Sequence, residues 1–282
     1  MSKSFKEVTE HSPSTALVVD GLNLCFRWKH AKVTDFRDQF IDTVKSLADS
    51  YKCGRIIITG DQGSSTYRKS ISPTYKISRK EKYANQTEAE AQAFKEFFAE
   101  YEATMELAAE TFPVLRYQGV EADDIAAYIV EKRPIFDIDK IWLISSDGDW
   151  DLLIEEQVSR FSYVSRKEFT LDNWSTHYDV TPEEFISYKC LMGDKGDDVD
   201  GYSGIGPKRA AGIVQQYGDV FEIYGRIPLE VKYKYIETLN NNPELMMLNL
   251  ELMDLRTFCS EAIGSENISD IERKLCTNTK KQ

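Results

Sequence analysis

Long apolar runs are missing from this chain of 282 residues. Its start, MSKSFKEVTEHSPS, also lacks a basic stretch followed by an apolar one. A bilayer-spanning helix needs roughly 20 consecutive apolar residues, and a secretory leader needs that basic-then-apolar order. The chain is therefore expected to work in the cytoplasm, with no membrane partner. Cysteine is scarce: there are five, at 25, 53, 190, 259 and 276, an odd number without a C-x-x-C. This argues against a disulfide framework and a thiolate zinc site, and leaves the cysteines as reduced thiols, mostly filling the core. Positive charge is short as well, with 35 Lys and Arg against 47 Asp and Glu and a formal balance of −12. A nucleic-acid partner ordinarily shows as a basic footprint, so the total alone speaks against one.

The distribution says more than the total. Residues 66 to 83, TYRKSISPTYKISRKEKY, hold six Lys or Arg against one Glu, interleaved with Tyr67, Tyr75 and Tyr83. The acids gather elsewhere. G-V-E-A-D-D (119 to 124) contributes Glu121, Asp123 and Asp124, S-D-G-D-W-D (146 to 151) contributes Asp147, Asp149 and Asp151, and G-D-K-G-D-D (193 to 198) adds Asp194, Asp197 and Asp198. Carboxylates this crowded raise one another's pKa unless cations neutralise them, and an all-oxygen donor set suits magnesium or manganese. Each cluster alone has a plainer explanation: first-turn acids favour a helix dipole, and Asp-Gly marks a turn that can lead into a capped helix. Local evidence does not separate the two.

Placement along the chain tips the balance. Four short apolar runs, at 16–20, 55–61, 114–117 and 141–145, each lead into an acid: Asp20, Asp61, Glu121 and Asp147. Between the first two, Phe36, Phe40, Ile41, Val44, Leu47 and Ala48 repeat with helical spacing, and Ala122, Ile125, Ala126, Ile129 and Val130 do the same after the third. Strands alternating with helices indicate an α/β domain with a largely parallel sheet, and such sheets bind ligands beyond the carboxyl ends of their strands. Four acids delivered to that edge favour one shared site. Thr87 and Glu90 form a capping box for a helix with a solvated acidic face, and Thr181, Pro182 and Glu184 open another. R-F-S-Y-V-S (160 to 165) and E-F-T-L (168 to 171) read as a strand pair at the sheet margin. G-Y-S-G-I-G-P-K-R-A-A (201 to 211) is a glycine-rich turn opening a helix, a phosphate site that reads no bases or else a plain helix–helix turn. Beyond it lie amphipathic helices such as 245–255.

Taken in order and spacing, Asp20 with G-L-N, Asp61, G-V-E-A-D-D, S-S-D-G-D-W-D, M-G-D-K-G-D-D and G-Y-S-G-I-G-P-K-R-A resemble the phage 5′-3′ exonuclease and flap endonuclease family, related to the 5′-nuclease domains of bacterial DNA polymerase I. The resemblance covers about 16 to 260. It implies a flexible N-terminus (1–15), a PIN-like α/β nuclease domain (16–180) with a helical arch at about 66–105, and a helical DNA-binding region (181–282) with a helix-three-turn-helix element at 201–211. It implies metal ligation by Asp20, Asp61, Glu121 and Asp123 at a first site and by Asp124, Asp147, Asp149, Asp194 and Asp197 at the remainder, Asp123 bridging. Lys76 and Arg79 resemble arch residues that contact the scissile phosphate, and Tyr75 the ring on which a base stacks. Arg68, Lys69, Lys80 and Lys82 in the basic stretch, and Gly204, Gly206, Lys208 and Arg209 in the turn, are the expected DNA contacts. Two or more Mg²⁺ ions, replaceable by Mn²⁺, a K⁺ ion at the helix-three-turn-helix, branched or 5′-ended DNA (RNA primers on DNA included) and a monomeric state complete the expectation. Tyr202 stands where a small aliphatic residue is common and Asp198 where Asn or Ser is usual. No polymerase domain is expected to follow, and the tail C-T-N-T-K-K-Q carries no sliding-clamp peptide.

The expected chemistry is phosphodiester hydrolysis by two ions roughly 4 Å apart, removing flaps or primers during replication. A phosphohydrolase working through an aspartyl-phosphate at Asp20 is the nearest rival. It would want a second acid two residues on, where this chain has Leu22. A non-catalytic branched-DNA-binding protein is the other rival.

Overall fold

The structure, a computed structural model, describes residues 11–277. Its centre is a six-stranded sheet of β1 (Ser12–Asp20), β2 (Cys53–Thr59), β3 (Val114–Leu115), β4 (Lys140–Ile144), β5 (Val158–Ser162) and β6 (Lys167–Phe169), in the order β3-β2-β1-β4-β5-β6. All neighbours are parallel except β5 and β6, the strand pair expected at the margin. β1 opens at Ser12, so the part of the expected flexible N-terminus from Ser12 to Thr15 is strand. The expectation for residues 1–10 lies outside the described residues.

Alternation along β1 explains the layering. Ala16 and Val18 point into one core with α6 (Ala122–Glu131), while Leu17 and Val19 point into another with α1 (Gly21–His30), α2 (Arg37–Tyr51) and α5 (Glu88–Ala109). A strand buried on both faces must be apolar throughout, and the run A-L-V-V is. The basic stretch becomes two short helices, α3 (Thr66–Ile71) and α4 (Ile77–Ala84), leading into α5, whose Thr87/Glu90 capping box is formed.

The remainder is helical: α7 (Phe185–Met192), α8 (Pro207–Tyr217), α9 (Val220–Gly225), α10 (Lys234–Asn241), α11 (Glu244–Met253), α12 (Leu255–Ile263) and α13 (Ser265–Thr277). Thr181 and Glu184 exchange their capping bonds, although α7 itself starts only at Phe185. α7 to α11 share a core of their own. α12 and α13 do not belong to it: Leu255, Cys259, Ile263, Ile271 and Leu275 pack on α6 and the sheet. The described helices of the expected region 181–282 thus pack into two cores, because the stripe 245–255 breaks at Asp254, whose side chain caps α12 and turns the chain back.

Candidate functional site

The strands deliver their acids as expected. Asp20, the last residue of β1, also caps α1: Oδ1 accepts the Asn23 N–H at 3.0 Å and Oδ2 the Ser145 hydroxyl at 3.0 Å. Asp61, just beyond β2, accepts the Ala122 N–H at 2.7 Å, which ties it to the start of α6. Asp123 accepts the indole N–H of Trp150, a residue wholly buried in the sheet core. Asp147, beyond β4, accepts the Asp149 N–H at 3.0 Å. All these hydrogen-bond donors are neutral.

Neutral donors do not cancel the crowding. Burial first, then the charge of Asp61, pushes Asp20 up to about 8. Burial and then Glu121 push Asp61 up to about 6. Asp123 is raised well above the ordinary range by burial and then by Asp147, Asp61 and Asp20, and Asp147 by burial and then Asp149. The acids therefore occupy one electrostatic neighbourhood, with Asp197 joined to it through Asp149 and Glu121. Among the described residues no three of them close around a common point; several turn instead to basic side chains. The donor set fits a hard divalent ion, since buried, mutually repelling carboxylates need cationic charge and offer only oxygen.

A pH dependence follows. A carboxyl whose folded pKa is raised keeps its proton where the unfolded chain has already lost it, so through Asp20 and Asp61 the metal-free protein should lose stability as pH rises from about 4 towards 8. Divalent ions must displace those protons, so their stabilising effect should grow over the same interval. Melting curves at pH 5.5 and 8 in chelator and in Mg²⁺ test this: parallel pH trends in the two series would sink it.

Glu121 is the junction between acids and bases. Its Oε1 accepts from Lys76 Nζ at 2.6 Å, and its Oε2 from Arg68 at 3.0 Å and from the Tyr75 hydroxyl at 3.1 Å. Burial opposes its ionisation, but Lys76 and Arg68 outweigh burial and hold the carboxyl below its ordinary value. Asp197 accepts from Arg79 at 2.7 Å and from Tyr75 at 2.9 Å, and pairs with Lys76 at 3.3 Å. Lys76 and Arg79 thus stand at the acidic edge.

Three expectations need correction. Tyr75, expected to stack on a base, is 3% exposed and packs into the helical core with its hydroxyl spent on two carboxylates. Arg68, expected to contact DNA, is 2% exposed, and Asp124, expected as a ligand, is 0% exposed. They form a two-pronged pair at 2.7 and 2.8 Å, while Arg68 Nε donates to the Leu252 carbonyl at 2.8 Å. Burial opposes the Arg68 charge, but Asp124 and Glu121 keep it protonated. Both members are committed to each other because desolvated charges require partners.

One residue was not anticipated. Lys189 reaches from α7 to Asp149 in a short ion pair, and lies 3.7 Å from Asp194. The signal was available: in F-I-S-Y-K-C-L-M it is the single charged residue of α7, and a lysine there must find an acid. Asp194 Oδ1 also accepts the Gly196 N–H at 2.7 Å. The loop holding it returns so tightly that a methyl on Gly201 would lie 1.8 Å from the Met192 carbonyl oxygen.

The other basic candidates divide by place. Lys80 and Lys82 are exposed on α4, and Lys69 is half-buried on α3. Gly204, with φ +82°, and Gly206 shape the turn before α8, where Lys208 and Arg209 are exposed. Arg209 donates to the Gly204 carbonyl and lies 4.6 Å from the centre of the Tyr235 ring, so the turn is braced by the side chain expected to use it.

Two family models match the chain. Residues 15–181 match the 5′-3′ exonuclease N-terminal resolvase-like domain, and 180–274 the 5′-3′ exonuclease C-terminal SAM fold. A flap endonuclease of Escherichia phage T5 is 43% identical over 273 residues, covering 94% of each protein. A bacteriophage T5 flap endonuclease solved as a pseudo-enzyme–product complex with DNA and metal ions is 41% identical with a TM-score of 0.89, over 93% of this chain and 98% of that one. A T5 5′-exonuclease solved with divalent zinc has a TM-score of 0.89 at 42% identity, over the same shares. No described helix is long and apolar enough to cross a membrane.

Proposed function

Because the chain belongs to the 5′-3′ exonuclease family, with models of both domains matching it, we propose that it is a metal-dependent nuclease that removes 5′ flaps and 5′-terminal nucleotides from DNA during replication. The observation that carries this reading is the placing of Asp20 at the end of β1, Asp61 just beyond β2 and hydrogen-bonded to the start of α6, and Asp147 beyond β4, with Lys76 and Arg79 paired to the nearby Glu121 and Asp197. Asp20, Asp61, Glu121 and Asp123 would hold one divalent ion, and Asp147, Asp149, Asp194 and Asp197 a second, with Asp123 between them. Mg²⁺ is the expected ion and Mn²⁺ its substitute. Bound there, such ions supply Lewis-acid activation of water and of the leaving oxygen.

The chain's own side chains do the rest. Asp124 stays with Arg68 and serves to hold the Glu121 carboxylate in place. Lys76 and Arg79 present cationic charge on one side of the acids, where charge grows on the phosphate in the transition state. Lys69, Lys80 and Lys82 attract the strand entering the arch. The amides after Gly204 and Gly206, with Lys208 and Arg209, hold phosphates of the duplex without reading bases. A cavity of about 520 Å³ beside that turn, lined by Asp200, Gly201, Ser203 and Gly204 among others, is where a K⁺ ion would sit. The protein would act as a monomer, with the nuclease unit formed by 16–180 together with α12 and α13.

The test is to incubate the purified protein with a 5′-labelled flap, a blunt duplex and an RNA flap, with and without Mg²⁺, and to size the products. Cleavage near the flap junction that needs the metal supports the reading. Metal-independent flap binding without cutting would make the protein a branched-DNA binder, and turnover of only a small phosphate ester would make it a phosphohydrolase. Lys76→Ala should slow single-turnover cleavage by about 10²-fold and change flap affinity only a few-fold; equal losses in both would reduce Lys76 to a tether.

A further inference from the structure

The geometry points to Asp198 as a positioning residue that latches the arch helix α4 onto the acidic loop and so sets where Lys76 and Arg79 stand. This inference rests on the nuclease reading for its kinetic consequence, not for its structural one.

α4 has no side-chain cap from its own segment. Its N-cap residue is Lys76, in the left-handed region at φ +54°, and Lys76 makes no side-chain capping bond. The first N–H groups of a helix need acceptors: that of Ile77 finds the Thr74 carbonyl at 3.0 Å, but that of Ser78 finds one on a segment 120 residues away in sequence. Asp198 Oδ2 accepts the Ser78 N–H at 2.8 Å. One residue before Asp198 and two before Ser78, the Asp197 carbonyl accepts the Lys76 N–H at 3.0 Å.

The supporting loop is rigid. Asp194 and Val199 exchange backbone hydrogen bonds in both directions at 2.8 Å, and Asp198 holds φ +56° at the turn between them. The Asp197 carboxylate then meets Arg79 and Tyr75 on the same side. Among the described residues, Ser78 and Arg79 of α4 reach the acids through Asp198 and Asp197, and Lys76 at its N-cap reaches them through Asp197 and Glu121. By sequence Asp198 is one more acid in a run of them. By position its carboxylate serves a helix terminus, where an anion is also favoured by the dipole.

The latch predicts different behaviour for two substitutions. Asp198→Gly adopts the left-handed backbone at no cost but has no acceptor. Asp198→Asn keeps a side-chain oxygen acceptor and tolerates the same backbone. Single-turnover flap cleavage by the Gly variant should fall about tenfold, the usual size of a lost cap expressed as a population shift, with flap affinity within a few-fold. The Asn variant should stay near wild type. In the Gly background Lys76→Ala should cost less than it does in wild type, because the two changes then act on one arrangement.

Limited trypsin digestion of the metal-free protein supplies a readout that needs no activity. Cleavage after Arg79, Lys80 and Lys82 should be several-fold faster in the Gly variant and unchanged in the Asn variant. Wild-type cleavage rates and wild-type tryptic sensitivity in the Gly variant would overturn the latch, as would an Asn variant as impaired as the Gly one. If the wild-type protein cuts no flap, the nuclease reading fails, and the digestion still decides whether Asp198 holds α4.

Discussion

Asp123→Asn should reduce metal-dependent flap cleavage by on the order of 10³-fold while raising the melting temperature of the metal-free protein. The two effects have one cause. Asp123 is half-buried, and desolvation, then repulsion from Asp147, Asp61 and Asp20, drives its carboxyl well above the ordinary range. Without ions that carboxylate is a liability to the fold. Asparagine keeps an oxygen for the Trp150 indole N–H and is neutral without having to take up a proton, so the cost of keeping that group uncharged disappears and packing is preserved. The same charge is what a divalent ion would bind, and an amide oxygen is a much weaker donor to it. Stability gained at the expense of function is the expected pattern where a site stores unfavourable electrostatics. Melting in chelator and single-turnover cleavage in Mg²⁺ measure the two sides. A variant that melts lower than wild type in chelator would mean that Asp123 is not under repulsion.

Arg68→Ala is the second large effect and runs the other way. Removing the guanidinium strands Asp124 in the interior and leaves Glu121 to Lys76 and Tyr75, and breaking a buried pair by deleting one partner costs about 3–5 kcal/mol. The Leu252 carbonyl loses its donor as well. Urea denaturation should therefore show a much lower midpoint at both low and high salt, because a buried pair is poorly screened. Arg68→Lys should rescue only part of the loss, since an ammonium cannot make the two-pronged contact with Asp124. The contrast is with the role that the basic stretch suggests. An exposed DNA contact would leave the urea midpoint alone and weaken DNA binding in a salt-dependent way. An unchanged midpoint would restore Arg68 to the DNA-binding surface and undo the correction made above.

Alternation and spacing in the sequence by themselves determined the sheet, most of the helices around it and the delivery of acids to one edge. These are repeated, short-range patterns: an apolar run buried on both faces, a stripe at helical spacing, a capping box four residues long. Asp20, Asp61 and Asp147 were legible because each ends or closely follows a strand, and Glu121 because it opens the helix after one, where chain direction alone decides what reaches the edge. Helix α1 was not legible, since G-L-N-L-C-F-R-W-K-H shows no clear stripe and is capped by Asp20, a residue with another apparent purpose.

Only the tertiary structure decided how charges were shared out. Local pattern cannot say that Arg68 turns inward to Asp124 while Lys80 turns outward, because both stand in the same basic stretch. Nor can it pair Lys189 with Asp149, or Asp198 with Ser78, across 40 and 120 residues of chain. The α12–α13 return onto the sheet was hidden for a similar reason, since an amphipathic stripe states that a helix has a partner without naming it. Electrostatic partnership depends on distance and desolvation after folding, and these exist only once the strands and helices have been brought together.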